Sequence, residues 1–187
     1  MAGSRVAVIA LVFVCAASRS EAQSFNFTGI LTGHLGVAAT NDVRGATVTA
    51  GASMGVLDDN GVGAELDVAH LGGFDSARFA DSSVTSAMLT VIAVRQHPTL
   101  RPFAVVGAGV MNVRVRVFDG DPSVGRTEPG WTAGGGVLYM LNEILGIRGE
   151  ARYFRHFSQH ADVPLTGDGV LDFWRTSVGV TLAWPIR

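Results

Sequence analysis

Alternate residues of one short stretch, LGIRGEARYFRHF from Leu145 to Phe157, carry Arg148, Glu150 and Arg152, and the stretch closes on Arg155, His156 and Phe157. Side chains two residues apart share a face only in an extended chain. There, two guanidiniums flanking a carboxylate could line an ion path, or pair and neutralise one another. His156-Phe157-Ser158 offers a second chemistry, an imidazole two residues from a hydroxyl. With Asp168 or Asp172 as an orienting carboxylate, these are the parts of a nucleophilic triad.

Other charges recur in the same setting, each alternating with apolar neighbours: Glu65 and Asp67, Arg114 and Arg116, and Arg175. Together with Arg148, Glu150 and Arg152 they form the candidate charge constellation. The remaining groups are weaker candidates. His34 lies on the inner phase of the first strand and reads as a lumen hydrogen-bonding residue, not a metal ligand, and Asp119-Gly120-Asp121 lacks the further spaced carboxylates of a calcium loop. No helix follows Gly107-Ala108-Gly109, so it is not a nucleotide-binding loop. The single cysteine, Cys15, permits no intrachain disulfide and no thiolate metal centre. A net charge of −2 without a basic patch excludes nucleic acid as a partner. No metal and no cofactor is expected.

The elements that must hold these residues are strands. Hydrophobic residues make up 48% of the 187 and charged residues 16%, against roughly 25% charged in soluble domains. All 14 basic residues are arginine, and glycine occurs 24 times. The hydrophobic period is two, not 3.6. From Phe173 to Trp184, Trp174, Thr176, Val178, Val180, Leu182 and Trp184 share one face, while Phe173, Arg175, Ser177, Gly179, Thr181 and Ala183 share the other. Similar segments predict eight strands, near residues 26–39, 46–58, 61–72, 83–96, 102–118, 130–141, 145–157 and 171–185. The fourth is ambiguous in phase. Three connections are tight: Asp58-Asp59-Asn60-Gly61, His97 to Arg101, and the turn at Asn142-Glu143. Four are longer and polar, and the two kinds alternate strictly. That is the signature of an up-and-down barrel built across a membrane.

The N-terminus reads as a secretory signal over residues 1–22. Arg5 precedes the apolar run Val6 to Ala17, and Ser20 and Ala22 prepare cleavage before Gln23. Residues 23–187 then form the barrel domain. A secreted soluble barrel would turn its apolar faces inward around a ligand. Two features favour the opposite orientation. Phe27, Phe103, Trp131, Tyr153, Phe157, Trp174 and Trp184 lie near strand ends on the apolar faces, as interfacial aromatics do. The other faces are mostly Gly, Ala, Ser and Thr with a few charges of both signs, which suits the narrow interior of an eight-stranded barrel. On this reading the charges are paired inside, filling the lumen. The alternative is a small pore.

The whole expected mature chain resembles the outer-membrane β-barrel family that includes the OmpA transmembrane domain and OmpX. RPFAVVGAGVMNV (Arg101–Val113), RGEARYF (Arg148–Phe154) and LDFWRTSVGVTLAW (Leu171–Trp184) carry the likeness. The resemblance implies an all-β, eight-stranded antiparallel up-and-down transmembrane barrel in the bacterial outer membrane, with both termini periplasmic. It implies no enzyme activity, a monomer, and outer-membrane lipid and lipopolysaccharide as surroundings. Ser177, Gly179, Leu182 and Trp184 fit the family's signal to the barrel-assembly machinery, although Pro185-Ile186-Arg187 stands where that signal ends on an aromatic. The chain stops three residues beyond Trp184, so no peptidoglycan-binding domain is expected. The long connections at 40–45, 73–82, 119–129 and 158–169 would meet an extracellular ligand. His156 and Ser158 also resemble the H-x-S motif of lipid A deacylases of the PagL type. Gln159 stands where those enzymes carry Asn, and both residues fall on the lumen phase.

Overall fold

The structure, a computed structural model, describes residues 26–39, 46–72, 81–116, 124–157 and 172–186, with the backbone alone at 81, 82, 115, 116 and 124. The leader assigned to residues 1–22 lies outside the described residues. Eight strands follow in order: β1 (Phe27–Ala39), β2 (Ala46–Leu57), β3 (Val62–Gly72), β4 (Asp81–Val94), β5 (Leu100–Arg116), β6 (Val124–Met140), β7 (Leu145–His156) and β8 (Asp172–Ile186). Each pairs antiparallel with the next, and β1 pairs with β8 from Phe27↔Ile186 to Ala39↔Trp174, which closes the barrel.

Closure gives every strand an inner and an outer face. Ile30, Leu57, Val94, Phe103, Leu138 and Met140 fill the interior at the short-turn end. Ala38, Leu71, Val84, Met111, Phe154 and Phe173 fill it toward the long connections. Leu35, Val48, Leu89, Val106, Val178 and Val180 are all more than half exposed on the outside. An exposed apolar belt of this extent is the mark of a lipid-facing surface.

The tight turns are built by side chains that replace ladder bonds. Asp58 accepts hydrogen bonds from the backbone N–H groups of Asn60 (3.0 Å) and Val62 (2.8 Å), and from Asn60 Nδ2 (3.1 Å). The Val62 N–H holds its carboxyl below the usual carboxylate range, and the Asn60 bond adds to it. Asn142 Oδ1 caps the β6–β7 turn by accepting from Ile144 and Leu145 at 2.9 and 2.7 Å.

One boundary departs far from the sequence expectation: β6, which forms the longest hairpin with β5, begins at Val124, not near residue 130. The stretch ahead of Gly130 read as loop because it contains Gly125 and Pro129. Pro129 is tolerated because its carbonyl accepts from Phe157 N at 3.0 Å, so its missing N–H faces the side where β7 runs out. The ambiguous β4 turns Val84, Ser86, Met88, Thr90 and Ile92 inward.

Gly61 has φ 82°, and a Cβ there would collide with the carbonyl oxygen of Val94, whose N–H donates to Gly61 O at 2.7 Å. Gly61→Ala is expected to cost about 1–3 kcal/mol, read as a lower urea midpoint for unfolding in lipid vesicles. Gly33→Ala, where an added Cβ meets nothing within 4 Å, should leave the midpoint nearly unchanged.

Candidate functional site

The inner faces of β3, β7 and β8 bring six charged side chains together at mid-barrel. Glu65 accepts from Arg148 Nη1 at 2.5 Å and from Arg152 Nη2 at 2.6 Å. Asp67 takes both terminal nitrogens of Arg175, at 2.9 and 3.1 Å. Glu150 accepts from Arg148 Nε (3.0 Å), Arg152 Nη2 (3.0 Å) and Arg175 Nη2 (3.1 Å). Three carboxylates thus meet three guanidiniums, all of them buried. His34 of β1 joins through Nε2, 3.1 Å from Asp67 Oδ2, and Ser177 lies 3.3 Å from Glu150.

The strand order gives these contacts their meaning. β3 and β7 are four strands apart in either direction around the ring. The Glu65–Arg148 and Glu65–Arg152 pairs therefore cross the full width of the lumen. Above and below, the charges rest on rings: Arg148 lies 4.4 Å from the Phe103 centroid and Arg175 5.0 Å from that of Phe154. Phe154 stacks on Phe173 with centroids 4.8 Å apart. Arg152 and Arg175 are cross-strand partners, a like-charge pairing made tolerable by Glu150 and Asp67 between them. Room comes from glycine. At Gly134 a Cβ would approach Arg152 Cγ to 3.0 Å, and at Gly51 it would approach His34 Cε1 to 2.6 Å.

Not every expected member belongs. Arg114 is exposed on the outer face of β5, so it is no part of the lumen network. Arg116 ends the same strand opposite Asp81, with its side chain outside the described residues. Phe103 is corrected in the opposite sense: it is 7% exposed and points inward beneath Arg148, not to the interface. Both follow from the phase of β5, whose two faces are nearly equally apolar below Asn112. Phe103 was the member that spacing did not reveal; His34 stands in the lumen, where its inner phase on the first strand put it.

The other aromatics lie outside. Trp131, Tyr153 and Trp174 occupy adjacent strands near the long connections, with centroids 5.6 and 5.3 Å apart, and Phe157 is exposed beside that rim. Phe27 and Trp184 lie at the opposite end, each 40% exposed. Trp184 and Leu182 face outward, while Ser177 and Gly179 are on the inner phase. The Trp184 indole lies across Gly29, where a Cβ would come within 2.5 Å of it.

The triad does not assemble among the described residues. His156 is 5% exposed on the inner face. Asp172 sits on the outer phase and accepts from Tyr153 OH at 2.6 Å, so it cannot orient that imidazole. Ser158 and Asp168 lie outside the described residues.

Breaking a buried ion pair by removing one partner costs about 3–5 kcal/mol. Arg152→Met should lower the urea stability of the folded barrel by that order, since it leaves Glu65 and Glu150 undercompensated. Adding Glu65→Gln restores two cations against two anions, so the double variant should lose less than the sum of the single losses. Strictly additive losses in the cycle would contradict a coupled network.

The model of the outer membrane protein beta-barrel domain matches residues 7–184. No curated protein matches. Among solved structures, the fold is similar to that of neisserial surface protein A, at 13% identity and TM-score 0.63 over 86% of this chain and 97% of that one. Ail, the attachment invasion locus protein of Yersinia pestis, gives 16% identity and TM-score 0.58 over 85% and 99%. The N-terminal β-barrel domain of Pseudomonas aeruginosa OprF gives 14% and 0.55 over 84% and 97%. Identities this low speak for the fold alone. The family match, however, spans almost the whole sequence and both strands that close the ring, and on that ground the chain belongs to the outer membrane protein β-barrel domain family.

Proposed function

We propose that this protein is a non-enzymatic anchor of the bacterial outer membrane. Its side-chain-filled barrel holds four connections at the cell surface, where they serve surface contact or envelope integrity. The reading places both termini on the periplasmic side, after export directed by residues 1–22. It gives Ser177, Gly179, Leu182 and Trp184 to recognition by the barrel-assembly machinery. The folded protein is a monomer set in lipid and lipopolysaccharide, and its extracellular ligand meets the long connections.

One observation carries this reading: carboxylates and guanidiniums bridge opposite walls of the lumen, at 2.5 Å for Glu65–Arg148 and 2.6 Å for Glu65–Arg152. An ion path there would have to break a balanced, desolvated cluster. Apolar layers at both ends add to the obstruction. A deacylase would need His156 to meet a lipid ester outside the barrel, whereas its ring is buried inside. The strict alternation of short and long connections supports a scaffold whose variable parts share one end.

Two measurements test the proposal. Purified protein in a planar bilayer at neutral pH should show no unitary conductance steps; reproducible steps would overturn the closed anchor. Protease shaving of intact cells should cut within 40–45, 73–80, 117–123 or 158–171, and never within 58–61, 95–99 or 141–144. Cuts confined to the short turns would place the loops on the wrong side.

A further inference from the structure

The outer faces of β3 to β6 change character abruptly, one cross-strand row at a time. Leu66, Leu89, Ala108 and Trp131 are successive Cα partners and form one apolar row. Val68, Ala87, Val110 and Pro129 form the next. The third row, one step nearer the long connections, is His70, Thr85, Asn112 and Thr127. All four side chains carry hydrogen-bonding groups. They are joined in pairs, His70 Nδ1 to Thr85 Oγ1 at 3.0 Å and Asn112 Nδ2 donating to Thr127 Oγ1 at 2.7 Å. His70 Nε2 and Asn112 Oδ1 keep no partner among the described residues. The fourth row is Gly72, Ser83, Arg114 and Gly125.

Arg114 is exposed, and its neighbours in that row carry no charge. A Cβ at Gly72 would meet nothing within 4 Å, and one at Gly125 only Arg114 Cγ at 3.6 Å and a backbone oxygen at 4.0 Å. Space for a bulky anion therefore remains around the guanidinium. At the opposite end of the same strands a single charge, Arg95, is exposed beside Pro102, with no polar row before it. There the last complete row is Val62, Ala93, Ala104 and Gly135, without a single hydrogen-bonding side chain. The polar row between the apolar rows and the guanidinium is therefore what distinguishes one end of these four strands from the other.

We propose that His70, Thr85, Asn112 and Thr127, with Arg114 one row further out, dock the phosphorylated sugar headgroup of an outer-leaflet glycolipid, lipid A. The inference rests on the reading that the long connections face the cell exterior. Lipid A presents ester and amide carbonyls and hydroxyls where its acyl chains begin, and phosphate just beyond them. The polar row meets the first set through His70 Nε2 and Asn112 Oδ1. Arg114 lies two residues, about 7 Å, further along β5, where it meets the phosphate in a charge-assisted hydrogen bond. The two apolar rows below receive the acyl chains.

The test is competition for the folded full-length protein in mixed micelles, with bound lipid counted by native mass spectrometry. Diphosphoryl lipid A should be retained about tenfold more tightly than phosphatidylglycerol. Arg114→Ala should erase most of that preference, and so should His70→Leu with Asn112→Leu. Arg95→Ala, at the short-turn end, should preserve it. Equal retention of both lipids by the unaltered protein would overturn the site, as would full preference in folded Arg114→Ala. If the double variant loses its heat-modifiable folded band, Arg114→Ala alone decides. A conducting barrel that still prefers lipid A would sink the closed-anchor reading and leave this site standing.

Discussion

The structure depends on one constraint: within a bilayer, no backbone N–H or C=O can be left without a partner. A sheet meets that demand only by closing on itself. Here closure is the pairing of β1 with β8 along thirteen residue pairs. From it follow the antiparallel order, the even strand number and the shared position of both described ends beside the short turns. Pro129 is admitted only where its missing donor faces the end of the neighbouring ladder, which shows the same rule acting on a single residue.

Eight strands close around a space no wider than a few side chains. Whatever points inward must therefore be filled, paired and fitted. The charge cluster does all three. Removing charges from water is costly, and three carboxylates recover that cost only by sharing three guanidiniums through short, largely bidentate contacts. At Gly51 and Gly134 on the inner wall a Cβ would meet first the carbonyl oxygens of Val68 and Ala151 on the neighbouring strands, and then the His34 and Arg152 side chains. The lumen is thus a core of unusual composition, polar at its centre and apolar at both ends.

Much of this was legible in sequence because alternation is strong wherever the two faces differ. β7 and β8 read correctly, face by face, since Arg148, Glu150, Arg152 and Arg175 alternate with Ile147, Tyr153, Trp174 and Val178. β5 is the counterexample. Ala104, Val106 and Val110 on one side answer Phe103, Val105 and Met111 on the other, so hydrophobicity sets no phase. Arg114 then looks like a lumen residue, because charge in a membrane strand normally turns inward. It escapes that rule by lying beyond the apolar rows. That the charges pair inside the lumen was legible from their shared phase; which carboxylate meets which guanidinium was not, because Glu65 and Arg148 are 83 positions apart and only closure brings their strands face to face. The sense of each charged face, inward or outward, is the point on which every later step turns.

That sense can be measured directly. Cys15 is the sole cysteine, so single cysteines can be introduced on a Cys15→Ser background free of other thiols. Spin labels at Leu35 and Val178 on the outer face, and at Ser53 on the inner face, report collisions with lipid-soluble oxygen and with a water-soluble nickel chelate. The account predicts strong oxygen contact at Leu35 and Val178, and little contact with either reagent at Ser53. Nickel access at Leu35 and Val178 together with oxygen access at Ser53 would contradict it, and would make this a barrel turned the other way out.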